Sequence, residues 1–275
     1  MRYKNEKKAP EQAQKFIEEY LGTLRAAGRR EQSITTRRHQ LVRICIAFNP
    51  LEANEADLLN WMGAQSWKPE TRKSFRAGIR GFFAWLKHMG YRPDDPALNL
   101  PAVHSPQGKA RPCPDRYIAE AMRKADDNEA IMLRAAAEYG LRRGEIARLS
   151  SDDVIDDLTG KSLIVHGKGG KQRVIPLEDD FADLILDHNG YVFPGRFGGH
   201  VEESYVGSRL TKLLPDHWSG HTLRHRFATM SYQRTHDILL VSQALGHASV
   251  ATTQRYVALP TDALRGMVGK VRLEA

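Results

Sequence analysis

The stretch Ser162–Leu177, S-L-I-V-H-G-K-G-G-K-Q-R-V-I-P-L, breaks the rhythm of the rest of the chain. Two short apolar runs, one at Leu163, Ile164 and Val165 and one at Val174 and Ile175, flank a turn built from Gly167, Lys168, Gly169 and Gly170. β-Branched residues on both sides of a glycine cluster read as the two strands of a hairpin. Elsewhere most apolar residues recur every three to four positions, the period of a helix. The stretch therefore sets the fold class: mainly α with a small antiparallel β-sheet. Its turn does not lead into a helix and lacks G-x-x-x-x-G-K-[ST], so it is not a nucleotide-phosphate loop.

Upstream, Phe16, Ile17, Tyr20, Leu21 and Leu24 mark a first helix that Gly28 ends. Ser33 is placed to cap a second, through Leu41, Ile44 and Ala47, and Leu58, Leu59 and Met62 mark a short third. A fourth runs from about Pro69 to Met89, with Phe75, Ile79, Phe82 and Leu86 in one stripe. At about 100° per residue, Arg72, Lys73, Arg76, Arg80 and Lys87 fall on one flank of that stripe. Such a flank can lie along a phosphate backbone, and it can equally be a solvated face. Prolines then recur from Pro93 to Pro114, where no helix interior can continue. The expected organisation is a helical domain over 1–105, a linker over 106–114 and a second domain over 115–275.

Charge follows the same division. The net charge is +8, yet residues 1–105 hold 18 Lys and Arg against 11 Asp and Glu, while the rest of the chain holds 23 against 22. A polyanion such as double-stranded DNA is the natural partner of the N-terminal part. No apolar run approaches the length of a membrane span, and no apolar segment follows the charged N-terminus as a signal peptide would require. Two cysteines without C-x-x-C spacing point away from a zinc site or disulfide framework and toward a reducing cytoplasm.

Past the linker, Asp115 is placed to cap a helix through Met122, and a second is expected near Glu129–Tyr139. Further helices are expected around 205–214, 221–231 and 238–245. Ala263, Leu264, Met267, Val268 and Val271 give a last amphipathic helix over about 261–273.

This half also carries a set of residues suited to one kind of chemistry. Tyr256 follows L-G-H by nine residues, in a run too polar for a core stripe. A phenol that attacks a phosphodiester needs a base for its proton, since its pKa is about 10. Charge that builds on the phosphate oxygens needs forked donors, and the departing alkoxide needs an acid. Y-G-L-R-R-G-E-I-A-R-L supplies Arg142 and, one turn later, Glu145. The hairpin turn supplies Lys168, H-T-L-R-H supplies His221 and Arg224, and L-G-H supplies His247. His221 and His225 stand at i,i+4, a metal-binding spacing, but Thr222 occupies the place of a zincin glutamate and no ligand set is completed nearby, so no metal or other cofactor is expected.

In these boxes the chain resembles the tyrosine recombinase (phage integrase) family. Each box is weak alone; five in order carry the resemblance, which covers about residues 110–260. The resemblance implies a core-type DNA-binding domain followed by a mixed α/β catalytic domain. It implies catalysis by Arg142, Lys168, His221, Arg224, His247 and Tyr256, with Glu145 bracing the cationic groups. Arg72, Lys73, Arg76, Arg80 and Lys87, with Lys171 and Arg173 beside the hairpin turn, become candidate DNA contacts. It further implies strand exchange through a 3′-phosphotyrosyl bond without ATP or metal, a dimer on one site and a tetramer in synapsis, a C-terminal helix exchanged between protomers, and, as a candidate partner, a directionality factor. A cytoplasmic, nucleoid-associated protein of bacterial or phage origin is expected. The short N-terminal part favours a minimal type, an Xer-like recombinase or a small phage integrase, over integrases with an added arm-binding domain. Two alternatives remain open: a regulator that binds DNA without catalysis, and type IB topoisomerase-like relaxation.

Overall fold

The computed structural model describes residues 8–104, 110–167, 170–215, 217–247, 250–254 and 257, with the side chains of Val250 and Ala251 left out. It is mainly helical with one three-stranded antiparallel sheet, as the hairpin reading predicts. The chain divides into two compact units, residues 1–106 and 107–275.

The first unit holds α1 (Glu11–Ala26), α2 (Glu31–Ala47), α3 (Glu55–Gly63) and α4 (Pro69–His88). Helix α4 organises it: Phe75, Ile79, Phe82 and Leu86 are all buried, joined by Phe83 and Trp85. They pack on Phe16, Ile17, Leu21, Leu41 and Leu58. Each such fully buried side chain contributes about 1.5–3 kcal/mol of transfer free energy. Pro69 fits the first turn of α4, where its missing N–H would have no partner. Ser33 does not cap α2. The helix begins two residues earlier, at Glu31, with Arg30 at its N-cap and no side-chain cap.

In the second unit α5 (Asp115–Lys124) starts after Pro114, so Asp115 sits in the first turn and pairs with Arg226 instead of capping. Helix α6 (Asp127–Ala137) is closed by a capping box between Asp126 and Glu129. Ile131, Met132, Leu133, Ala135, Ala136 and Ala137 are buried around its circumference, so α6 is the central helix of this unit. Around it pack α5, α7 (Arg143–Ala147), α9 (Glu203–Leu213) and α10 (Gly220–Thr235). The sheet is a meander of β1 (Val154–Asp157), β2 (Gly160–His166) and β3 (Gln172–Pro176). Its hairpin register pairs Leu163 with Ile175 and His166 with Gln172, so Gly167–Lys171 is the connection. Helix α8 (Asp179–Leu186) covers the sheet through Phe181 and Ile185. Helices α11 (Ile238–Leu245) and α12 (Val250–Gln254) follow α10, with Ala228, Val241 and Leu245 in a small core of their own. Strand β1 and helices α8 and α12 had no counterpart in the sequence reading. The helix expected over 261–273 lies outside the described residues.

Candidate active site

The site begins where α6 ends. Gly140 turns the chain with φ +62°, and a Cβ there would lie 2.4 Å from the Phe227 ring, so only glycine fits this turn. Arg142 follows as the N-cap of α7. Glu145, one turn on, accepts from the Arg142 backbone N–H at 2.9 Å and from its Nη1 at 2.8 Å. The arginine is thus held at both ends while its side chain stays 42% exposed.

Arg224 projects from α10 and is only 2% exposed. Its Nη1 donates to the Gly140 carbonyl, and its Nη2 donates to the Leu245 carbonyl at 2.5 Å. The same Nη2 meets His247 Nε2 at 3.2 Å. A guanidinium can only donate, so Nε2 accepts and the neutral ring carries its proton on Nδ1, facing Thr253 Oγ1 at 2.8 Å. Arg224 and Glu145 stand 3.8 Å apart. One carboxylate therefore touches both of the arginines singled out for phosphate.

A third arginine shares it. Arg173, on β3, places Nη1 and Nη2 on the two Glu145 oxygens at 2.9 and 2.8 Å, and its Nε on the Ala244 carbonyl at 2.8 Å. Burial by itself would raise the Glu145 pKa. The Arg173 hydrogen bonds and charge, the Arg142 N–H and the Arg224 charge outweigh it and hold that pKa at about 2.

His221 lies in the first turn of α10, on its exposed side. Partial burial of its ring, then the charges of Arg224 and Arg142, lower its pKa below the ordinary 6.5, so it is neutral at pH 7. Water at the exposed edge screens part of that effect. Burial, then the Arg224, Arg142 and Arg173 charges, push His247 down to about 4. His225 meets His221 Nε2-to-Nε2 at 3.0 Å, and its Nδ1 accepts the Arg111 backbone N–H at 3.0 Å. Burial, then the neighbouring His221 and Arg224, bring its pKa to about 4. The neutral His225 proton is thereby assigned to Nε2, pointing at His221.

Arg142, His221 and Arg224 line a cleft of about 790 Å³ with Arg143, Ser208 and Lys212. The structure thus brings together Arg142, Glu145, His221, Arg224 and His247. Lys168 and Tyr256 lie outside the described residues. Lys171 is exposed beside the hairpin turn.

Arg173, expected among the DNA contacts, turns inward here: its side chain is 11% exposed and three of its N–H groups are engaged inside the unit. Two α4 residues are likewise engaged within their own unit. Arg72 donates to the carbonyls of Met62 and Gln65, and Arg76 places Nε and Nη2 on the Leu100 carbonyl at 3.0 and 2.6 Å. Those guanidiniums satisfy backbone carbonyls of their own unit. Arg80 is half-buried, and Lys73 and Lys87 are exposed. Sequence reasoning overlooked Thr253 as the partner of His247 and the contact of His225 with His221, for which their i,i+4 spacing was the available signal.

Among the described residues no helix is long and apolar enough to cross a membrane. Residues 116–262 match the family model described as the phage integrase family. Tyrosine recombinase XerD of Brucella suis is 30% identical over 246 residues, covering 77% of this chain and 79% of the relative. A lambda integrase dimer bound to a COC′ core site superposes with a TM-score of 0.73 at 16% identity, over 89% of this chain and 77% of that one. XerH site-specific recombinase bound to difH substrate gives 0.68 at 19% identity, over 92% and 83%. The last two likenesses bear on the fold, the first two on descent. The chain belongs to the phage integrase family and is a tyrosine recombinase, an enzyme of site-specific DNA strand cleavage and rejoining.

Proposed function

We propose that the cleft lined by Arg142, His221 and Arg224, with His247 hydrogen-bonded to Arg224, receives the scissile phosphate of double-stranded DNA. The gathering of Arg142 and Arg224 on the single Glu145 carboxylate carries this reading. Arg142 and Arg224 donate to the non-bridging oxygens, where charge grows in the transition state. His221 accepts the Tyr256 proton on Nε2, exchanging its contact with His225 for the phenol. The Tyr256 oxygen attacks phosphorus in line, the bond to the 5′ oxygen breaks, and Lys168 gives that oxygen a proton. The product is a 3′-phosphotyrosyl bond and a free 5′-hydroxyl. A 5′-hydroxyl from a partner duplex reverses the step, so bond energy is conserved without ATP.

His247 joins through a change of tautomer. Once a phosphate oxygen takes the Arg224 Nη2 donor, Nε2 of His247 can hold the proton and donate to the phosphate. The Thr253 hydroxyl then turns to donate to Nδ1, since a hydroxyl serves in either sense.

Residues 1–105 act as the core-type DNA-binding domain and 115–275 as the catalytic domain, joined by the linker over 106–114. Exposed Lys73, Lys87 and Lys171 are the better candidates for backbone contact. Two protomers occupy one site and four form the synapse, with residues 261–273 docking on a neighbour. A directionality factor biases the outcome, and the protein works in the cytoplasm at the nucleoid. DNA and oligomer assembly are supported by the DNA-bound lambda integrase dimer and the lambda integrase tetramer on a Holliday junction, whose fold this chain shares.

The test is a nicked suicide duplex carrying the crossover region found beside the gene, read on a denaturing protein gel. A covalent adduct that Tyr256→Phe abolishes is expected. An equal adduct from the Phe variant would remove Tyr256 from the reaction. Relaxation of plasmids that lack any crossover site would point to a topoisomerase.

A further inference from the structure

We propose that Arg173 is a positioning residue of the phosphate site, fixing Glu145 and the segment that carries His247 against each other. The inference rests on the phosphate-site reading above. Arg173 joins three separately encoded pieces. Its backbone belongs to β3, its Nη1 and Nη2 hold both Glu145 oxygens beside α7, and its Nε holds the Ala244 carbonyl in the last turn of α11. His247 begins three residues beyond Ala244. The L-G-H box records the same contact from its other side. Gly246 has φ +61°, and a Cβ there would meet Arg173 Cδ at 3.0 Å and Nη1 at 3.2 Å. Both the left-handed turn and the approach of Arg173 favour glycine at that position.

Charge explains why an arginine matters here. Glu145 serves Arg142 at 2.8 Å and Arg224 at 3.8 Å. With Arg173 bound in bidentate fashion, both carboxylate oxygens already have a cationic partner, and Arg142 stays exposed at the cleft. Without it, the buried carboxylate draws Arg142 and Arg224 inward, and the last turn of α11 loses its tether. Lysine cannot substitute, because a point charge cannot hold two oxygens and a carbonyl in one plane.

The experiment compares wild type, Arg173→Met and Arg173→Lys in single-turnover cleavage of the suicide duplex at saturation. Binding of the same duplex, thermal unfolding, and cleavage of a duplex whose scissile phosphate is a neutral methylphosphonate are measured alongside. A displaced clamp should slow Arg173→Met about 30–100-fold and Arg173→Lys about 10-fold. Duplex affinity should stay within about threefold, since the side chain is not a DNA contact in this reading. On the methylphosphonate the deficit should shrink, because a neutral centre asks less of the clamp. Gly246→Ala should repeat the pattern. Unimpaired cleavage by folded Arg173→Met overturns the inference. So does a loss shared equally with duplex affinity, which would make Arg173 a DNA contact. If Arg173→Met fails to fold, Arg173→Lys decides: an equal loss on both substrates marks a purely structural role and overturns the inference. If wild type forms no adduct, the phosphate-site reading fails first and the inference with it.

Discussion

The two units use arginine differently. Residues 1–105 carry the larger excess of positive charge, 18 Lys and Arg against 11 Asp and Glu, while the remainder is close to balance at 23 against 22. Yet the cluster suited to a phosphate lies in the balanced part. On α4, Arg72 and Arg76 are bound to backbone carbonyls and hold their own unit together. Around Glu145, Arg173 and Arg224 are also bound to carbonyls, but there a buried carboxylate fixes their positions and leaves Arg142 42% exposed at the cleft. Net charge describes how strongly a surface attracts a polyanion at long range. A site that stabilises one transition state needs donors already held in place, and acidic groups do the holding. The near-neutral balance of the second unit fits that requirement.

The largest effect that could break this contrast is at Arg224. Replacement by alanine removes the proposed phosphate donor and leaves the Gly140 and Leu245 carbonyls without it. Cleavage of the suicide duplex should fall by about 10³-fold or more, and Arg224→Lys should recover little of it. Cleavage within tenfold of wild type would show that the cluster is structural only.

Next is Glu145. Its folded pKa of about 2 lies below the ordinary 4.5. The carboxylate therefore contributes stability that is fully present above pH 4.5 and is lost as pH falls toward 2, an effect on the order of 2–3 kcal/mol. Urea unfolding of the wild type should weaken through that window, and Glu145→Gln, less stable at pH 7, should weaken less steeply. Parallel acid profiles would separate Glu145 from the arginines it touches.

The smallest effects sharpen the contrast within α4. Arg76→Ala loses two hydrogen bonds to the Leu100 carbonyl and should cost about 1–2 kcal/mol of stability. Lys73→Ala, on an exposed residue, should leave the melting temperature nearly unchanged. If Lys73 meets a phosphate, its loss should reduce the slope of log affinity against log salt by about 0.9. The reverse pattern, with Arg76 setting the salt slope and Lys73 the stability, would return the α4 guanidiniums to the DNA.

Much of the molecule was legible in advance because its signals are local. Helical periodicity placed α1, α3, α4, α6, α9, α10 and α11 within a few residues, and the glycine-flanked apolar runs placed β2 and β3. Strand β1 offers only Val154 and Ile155 before two aspartates, too short for an alternating pattern, and is stabilised by pairing with β2. The start of α2 was misplaced because a serine that could cap stood two residues inside a helix that begins without a side-chain cap.

At the site, sequence by itself determined which chemical groups are present and in what order, because G-L-R-x-x-E, H-x-L-R-H and L-G-H each fix residue types at helical or turn spacing. It also determined that Arg142 and Glu145 would meet, since one turn of helix separates them. Only the tertiary structure decided which arginines are committed. Arg76 meets Leu100 across 24 residues, Arg173 meets Glu145 across 28 and Ala244 across 71, and Arg224 meets Gly140 across 84. A guanidinium has the same charge whether it faces solvent, a carbonyl or a carboxylate. Its sequence neighbours specify one helix face, whereas its partner is set by how strands and helices far apart in the chain pack around a shared core.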